Sequence, residues 1–171
     1  MHKIGLLKNT IQEYAWGSKT AIPDLLGRPG PTDKPQAELW MGAHPKAASQ
    51  VYCDGKWRSL LEVIDENPAE ILGSEAAREF SDQLPFLFKV LAAAKPLSIQ
   101  AHPNKGQAIE GFVRENQLGI SLDASNRNYK DDNHKPEIIC ALTPFWALNG
   151  FRQVKEILRL LEEIKDPSLV E

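Results

Sequence analysis

Apolar and polar positions alternate along short stretches of this chain and take up a helical period only in a few places. Residues 37–42 and 47–53 read as strands, and the Asp54-Gly55 that follows is the tight-turn dipeptide of a hairpin. FLFKVLAAAKPLSIQAH (86–102) reads as two strands joined around Ala92 to Pro96, and a further apolar strand opens at Glu137 and runs from Ile138 to Leu142. Short helices are expected over 58–66 and 75–81, the second with Ser74 as its N-cap. Asn104 with Gln107 has the form of a capping box opening a helix that ends near Gly119. Val154, Ile157, Leu158, Leu161 and Ile164 mark an amphipathic helix from 153 to 165 that stops at Asp166-Pro167. Pro23, Gly27, Pro29, Gly30, Pro31 and Pro35 make 21–36 a loop, and the polar run SLDASNRNYKDDNH (121–134) makes another. The pattern is that of a mainly β fold with helices set among the strands, without an internal repeat.

Faces matter more than elements for the chemistry. In 97–102, Leu97, Ile99 and Ala101 share an apolar face, while Ser98, Gln100 and His102 share a polar one. A polar face is commonly just the wet side of an antiparallel sheet. The same spacing also lets two residues of one strand converge on an ion, and both readings stand at this point. Lys89 sits in the middle of an apolar strand, where it either guards an edge or works in a pocket. Glu137 opens an apolar strand, and a carboxylate there is costly to bury unless it is paired with a base or bound to a metal. His134 and Lys135 lie immediately before it.

Composition narrows the class. With 171 residues the chain has room for one domain, or one and the start of another, and 42% hydrophobic residues suffice for a real core. A net charge of −3 with no basic tract speaks against a nucleic-acid or membrane-surface partner. The N-terminal stretch lacks the apolar run of a signal peptide and no later run is long enough to span a bilayer, so a cytoplasmic location is expected. Cys53 and Cys140 have neither metal-type spacing nor a disulfide framework, and read as two buried thiols in a reducing compartment.

Four segments together carry a resemblance. IQEYAWGS (11–18), AELWMGAHPK (37–46), PFLFKVLAAAKPLSIQAHPNK (85–105) and YKDDNHKPEIICALTPFWALNGFR (129–152) resemble successive signatures of the type I phosphomannose isomerases, in that family's order. The resemblance covers most of residues 9–152, and its QAHPNK and NHKPE blocks are specific. It implies a cupin-like jelly-roll core with helices, residues 1–150 forming the metal-binding catalytic domain and 151–171 the start of a helical domain. The implied reaction is the interconversion of mannose 6-phosphate and fructose 6-phosphate. One zinc ion is implied on Gln100, His102 and Glu137, with a fourth ligand, a histidine, that comes far later in the family and beyond residue 171. The chain is therefore expected to be a fragment of a longer protein.

The remaining roles follow from the same resemblance joined to the chemistry. Lys135 and His134, flanking Glu137, are the candidates for proton transfer. Lys89 and Ser98 suit a phosphate, and Trp16 and Glu38 resemble pocket residues of the family. His44 is given no role, and Asp131 and Asp132 are expected to be solvated. The expected partner is a small sugar phosphate, with self-association or the family's C-terminal half covering an exposed edge. The alternative is a non-catalytic sugar-phosphate or metal-binding module on the same scaffold.

Overall fold

A computed structural model describes residues 4–164 of the chain. It divides into two compact units, one ending at Ser98 and one beginning at Ile99.

The first unit holds two antiparallel three-stranded sheets. One is built from β1 (Leu7–Lys8), β4 (Gln50–Cys53) and β5 (Lys56–Ser59), with β4 in the centre. Asp54 and Gly55 both take positive φ, 51° and 77°, so the β4–β5 hairpin turns with the twist of its strands, as the dipeptide predicts. The other sheet consists of β2 (Thr10–Gln12), β3 (Glu38–Met41) and β6 (Phe88–Leu91), with β3 in the centre. Its register pairs Ile11 with Leu39 and Leu39 with Val90, which makes an apolar row across one face. Ile22 and Ala92 pack with Leu39 on that row and form the core.

Ile22 belongs to α1 (Ala21–Leu25), a helix inside the stretch expected to be loop. Five residues containing a proline are too few to signal a helix by period. The helix exists because Ile22 and Pro23 bury against the sheet, and proline is tolerated in a first turn, where no backbone N–H is needed. Gly17 bridges to Ala93 and lies so close to β3 that a side chain there would stand 2.6 Å from the Ala37 Cα.

Helices α2 (Leu60–Glu66), α3 (Pro68–Leu72) and α4 (Ser74–Glu79) follow β5. The helix expected from 58 begins at Leu60, because Lys56 to Ser59 pair with β4 first. Ser74 is the first residue of α4 rather than its cap; Gly73, at φ 86°, holds that position. The short α3, not expected from the sequence, starts on Pro68 at its first turn.

The second unit is organised by α5 (Lys105–Gln117), which the capping box opens as expected. The Gln107 N–H donates to Asn104 Oδ1 at 2.9 Å and the Asn104 N–H to Gln107 Oε1 at 3.0 Å. The helix closes at Leu118, and Gly119 turns the chain away at φ 69°. The amphipathic C-terminal helix is α6 (Val154–Ile164); its expected stop at Asp166-Pro167 lies outside the described residues.

Two expected strands do not form. Residues 97–102 and 137–142 run outside any sheet, and Ile138 is fully exposed. Alternation shows only that a segment could take one side of a ladder. A strand also needs a partner edge, and neither segment has one among the described residues. Cys53 is buried as expected, while Cys140, on the second of these segments, is exposed.

Candidate functional site

The second unit contains Gln100, His102, His134, Lys135 and Glu137. His102 Nε2 lies 3.3 Å from Glu137 Oε2, although 35 positions separate the two in sequence. Their side chains are 31% and 58% accessible, so the pair faces outward and an incoming ion could reach it. Gln100 is exposed two residues before His102 in the same irregular segment.

This pair is held in place through α5. Glu115 and Arg127 form an ion pair at 3.1 Å with side chains 6% and 0% exposed. Arg127 also donates to the carbonyls of Tyr129 and Ile120 and to Asn116 Oδ1, while Glu115 accepts from the backbone N–H groups of Asn128 and Tyr129. Those bonds, the Tyr129 N–H foremost, hold the Glu115 carboxyl below its ordinary pKa. At the other end of α5, Lys105 Nζ donates to the Asp132 carbonyl at 3.0 Å and to Asn133 Oδ1 at 2.7 Å. The loop over 121–134 is thus tied to both ends of one helix, and it delivers the chain to His134, Lys135 and Glu137. Lys135 Nζ donates to Asp131 Oδ2 at 3.0 Å, so Asp131 is engaged rather than simply solvated as expected. His134 is exposed. The Glu115–Arg127 anchor has no signal in the sequence, since an arginine in a polar loop looks like any solvated charge.

The first unit contains Trp16, Glu38, Lys89 and Ser98. Glu38 is 7% exposed. Trp40 Nε1 donates to Glu38 Oε2 at 2.6 Å, and Lys89 Nζ stands 3.5 Å from Glu38 Oε1. The register explains this group: Trp40 pairs with Lys89 across β3–β6 and Glu38 pairs with Leu91, so all share the face opposite the apolar row of Leu39. His44 packs against Trp40 with ring centres 4.8 Å apart. Trp16 is half-buried, stacks on Tyr14 at 5.8 Å, and its carbonyl accepts from the N–H groups of Ala94 and Lys95. Ser98 is exposed. Trp40 was missed as a functional neighbour, because its alternation in β3 marks it only as a strand residue.

An imidazole nitrogen and a carboxylate oxygen in contact, with an amide side chain nearby in sequence, are donors that suit zinc. Among the described residues no group of three or more His, Cys, Asp and Glu side chains is placed to hold a metal. Among the same residues no helix is long and apolar enough to cross a membrane.

The first unit is thus built on antiparallel sheets, with a buried Glu38 and Trp40 beside the exposed Lys89, and the second carries an outward imidazole–carboxylate pair. Residues 4–154 match the family model of the phosphomannose isomerase type I catalytic domain, and the chain belongs to that family. Its fold is the cupin-like one of those proteins, with antiparallel sheets and helices. The mannose-6-phosphate isomerase of Escherichia coli is 54% identical over 159 residues, which is 92% of this chain and 40% of the relative. The human protein of that name is 41% identical over 169 residues, 94% of this chain and 37% of its own length. Among solved structures, a point variant of phosphomannose isomerase from Salmonella typhimurium superposes with a TM-score of 0.86 at 52% identity, over 92% of this chain and 40% of that one. The mannose 6-phosphate isomerase from the same organism, bound to substrate and to zinc, gives a TM-score of 0.83 at 53% identity, with the same coverage. The chain spans about two-fifths of the length of these relatives.

Proposed function

We propose that this chain is the metal-binding part of a zinc-dependent aldose–ketose isomerase acting on mannose 6-phosphate and fructose 6-phosphate. The observation that carries the reading is the 3.3 Å approach of His102 to Glu137 inside a segment that belongs to the family. Gln100, His102 and Glu137 would hold zinc, with a further ligand from the length that the relatives possess beyond this match. Zinc bound there would act as a Lewis acid, easing the negative charge that develops on the sugar oxygens.

The chain's own residues do the rest. In the aldose-to-ketose direction a base removes the proton on C2, a C1=C2 double bond forms and the C1 carbonyl electrons move to O1; a proton passes from the O2 hydroxyl to O1 as the C2 carbonyl forms, and the base returns its proton to C1. Lys135 and His134 are the groups beside Glu137 able to carry that proton. Lys135, held by Asp131 at 3.0 Å, is already oriented. Lys89 and Ser98 offer an ammonium and a hydroxyl to the phosphate, and Trp16 and Glu38 line the sugar pocket. Residues 1–150 form the catalytic metal-binding domain in this reading, and 151–171 begin a helical one. Trp146, Leu148, Phe151 and Val154 stand exposed, which suits contact with further polypeptide or a second copy. A cytoplasmic location is part of the same proposal.

The short span relative to the relatives favours one second reading, a module that binds sugar phosphate or metal without turnover. A coupled assay for conversion of mannose 6-phosphate, on protein stripped by chelator and resupplied with zinc, separates them. Turnover that is lost with chelator and returns with zinc supports the isomerase. Binding without turnover, from a native-length folded protein, supports the module and overturns the isomerase.

A further inference from the structure

Glu38 stands in the proposed site as a pocket residue, yet its surroundings assign it different work. It is 7% exposed and both of its oxygens are engaged: Oε2 accepts from the Trp40 indole at 2.6 Å, and Oε1 faces Lys89 Nζ at 3.5 Å. A carboxylate so enclosed is poorly placed to meet a sugar hydroxyl. Lys89, in contrast, is 34% exposed at its side chain, and an ammonium has three donors, more than the contact with Glu38 uses.

We infer that Glu38 is a positioning residue, which Trp40 orients and which in turn holds the Lys89 ammonium in the place where it receives the substrate phosphate. The inference rests on the proposal that Lys89 binds that phosphate. The three side chains are set by backbone register: Trp40 and Lys89 are direct cross-strand partners, and Glu38 is two residues before Trp40 on the same strand and diagonal to Lys89. A lysine stem has four rotatable bonds and would sample many positions by itself. The buried carboxylate removes most of that freedom before the substrate arrives, so less order is lost on binding. The arrangement is asymmetric, because a neutral amide at position 38 has one oxygen for two donors. The indole and the ammonium meet different carboxylate oxygens, so an amide oxygen standing in one of those two places leaves the other donor without its present partner.

The test uses the zinc-loaded, native-length enzyme and steady-state kinetics with mannose 6-phosphate. Lys89→Met is expected to raise KM by about tenfold or more with a smaller change in kcat, as loss of phosphate binding requires. Glu38→Gln is expected to raise KM several-fold, with zinc content unchanged. In the Lys89→Met background, Glu38→Gln should add nothing further to KM, since its effect passes through the lysine. Adding Trp40→Phe to Glu38→Gln should lower KM again, because the single amide oxygen is then released to Lys89. Independent, multiplying effects of Glu38→Gln and Lys89→Met on KM would overturn the positioning role while leaving the phosphate reading of Lys89 standing. A normal KM in Lys89→Met would overturn that phosphate reading, and the positioning role with it. If Trp40→Phe fails to fold, the Glu38–Lys89 pair of substitutions still decides the matter.

Discussion

His102 Nε2 and Glu137 Oε2 lie 3.3 Å apart across 35 residues of chain, on two segments that belong to no sheet. With no ladder to align the two segments, the work is done by α5 and the loop after it, which start just beyond His102 and end just before Glu137.

If the pair is half of a zinc site, removing either member removes the metal. His102→Ala and Glu137→Gln are each expected to weaken zinc binding by more than about a hundredfold, beyond what loss of an outer partner does. Metal content after dialysis against a weak chelator measures this directly. Full zinc occupancy in both variants would place the metal elsewhere.

The Glu115 carboxyl supplies a pH dependence whose sign is fixed. Its folded pKa lies below the ordinary 4.5, chiefly through the Tyr129 N–H and also through Asn128 and Arg127. A depressed carboxyl pKa stabilises the fold fully above the unfolded value and loses that stability as pH falls through the folded one. Thermal melts from pH 7 down to pH 3 should therefore show stability falling from about pH 4.5 downward. Glu115→Gln should melt lower at pH 7, because it leaves Arg127 buried without its counter-charge, and it should show a flatter acid limb.

Two glycines of the same helix should respond in opposite directions. A Cβ on Gly111 would meet the Tyr129 ring at 2.5 Å, and Tyr129 is fixed through its backbone by both Glu115 and Arg127. Gly111→Ala is expected to cost about 1–3 kcal/mol. A Cβ on Gly106 would meet only Asn104 Oδ1, at an ordinary 3.5 Å. Gly106→Ala should gain roughly 0.5–1 kcal/mol by lowering the freedom of the unfolded chain. Denaturant titration of the two variants side by side checks the contrast.

Asn104 caps α5 from a position two residues after His102. Asn104→Ala should cost about 0.5–2 kcal/mol, the usual range for a lost N-cap. It should also weaken zinc binding if the helix start fixes His102. Unchanged metal affinity in a destabilised variant would separate the cap from the site.

Local chemistry made part of this protein legible in its sequence. The Asp54-Gly55 turn and the Asn104–Gln107 capping box depend on residues within four positions of one another, and both appear as read. The amphipathic helix α6 and the strand within 37–42 follow from period alone. Joined to the resemblance of four segments, these also marked the family. What sequence could not decide was pairing. Residues 97–102 and 137–142 alternate like strands, yet a ladder requires a partner edge that no single segment specifies. Burial was decided at the same level: Arg127 reads as a solvated loop charge until Glu115 is placed beneath it, and Glu38 reads as a pocket residue until register brings Trp40 and Lys89 onto its two oxygens. Turns, caps and stripes are properties of neighbours in the chain, whereas which charge meets which is a property of neighbours in space.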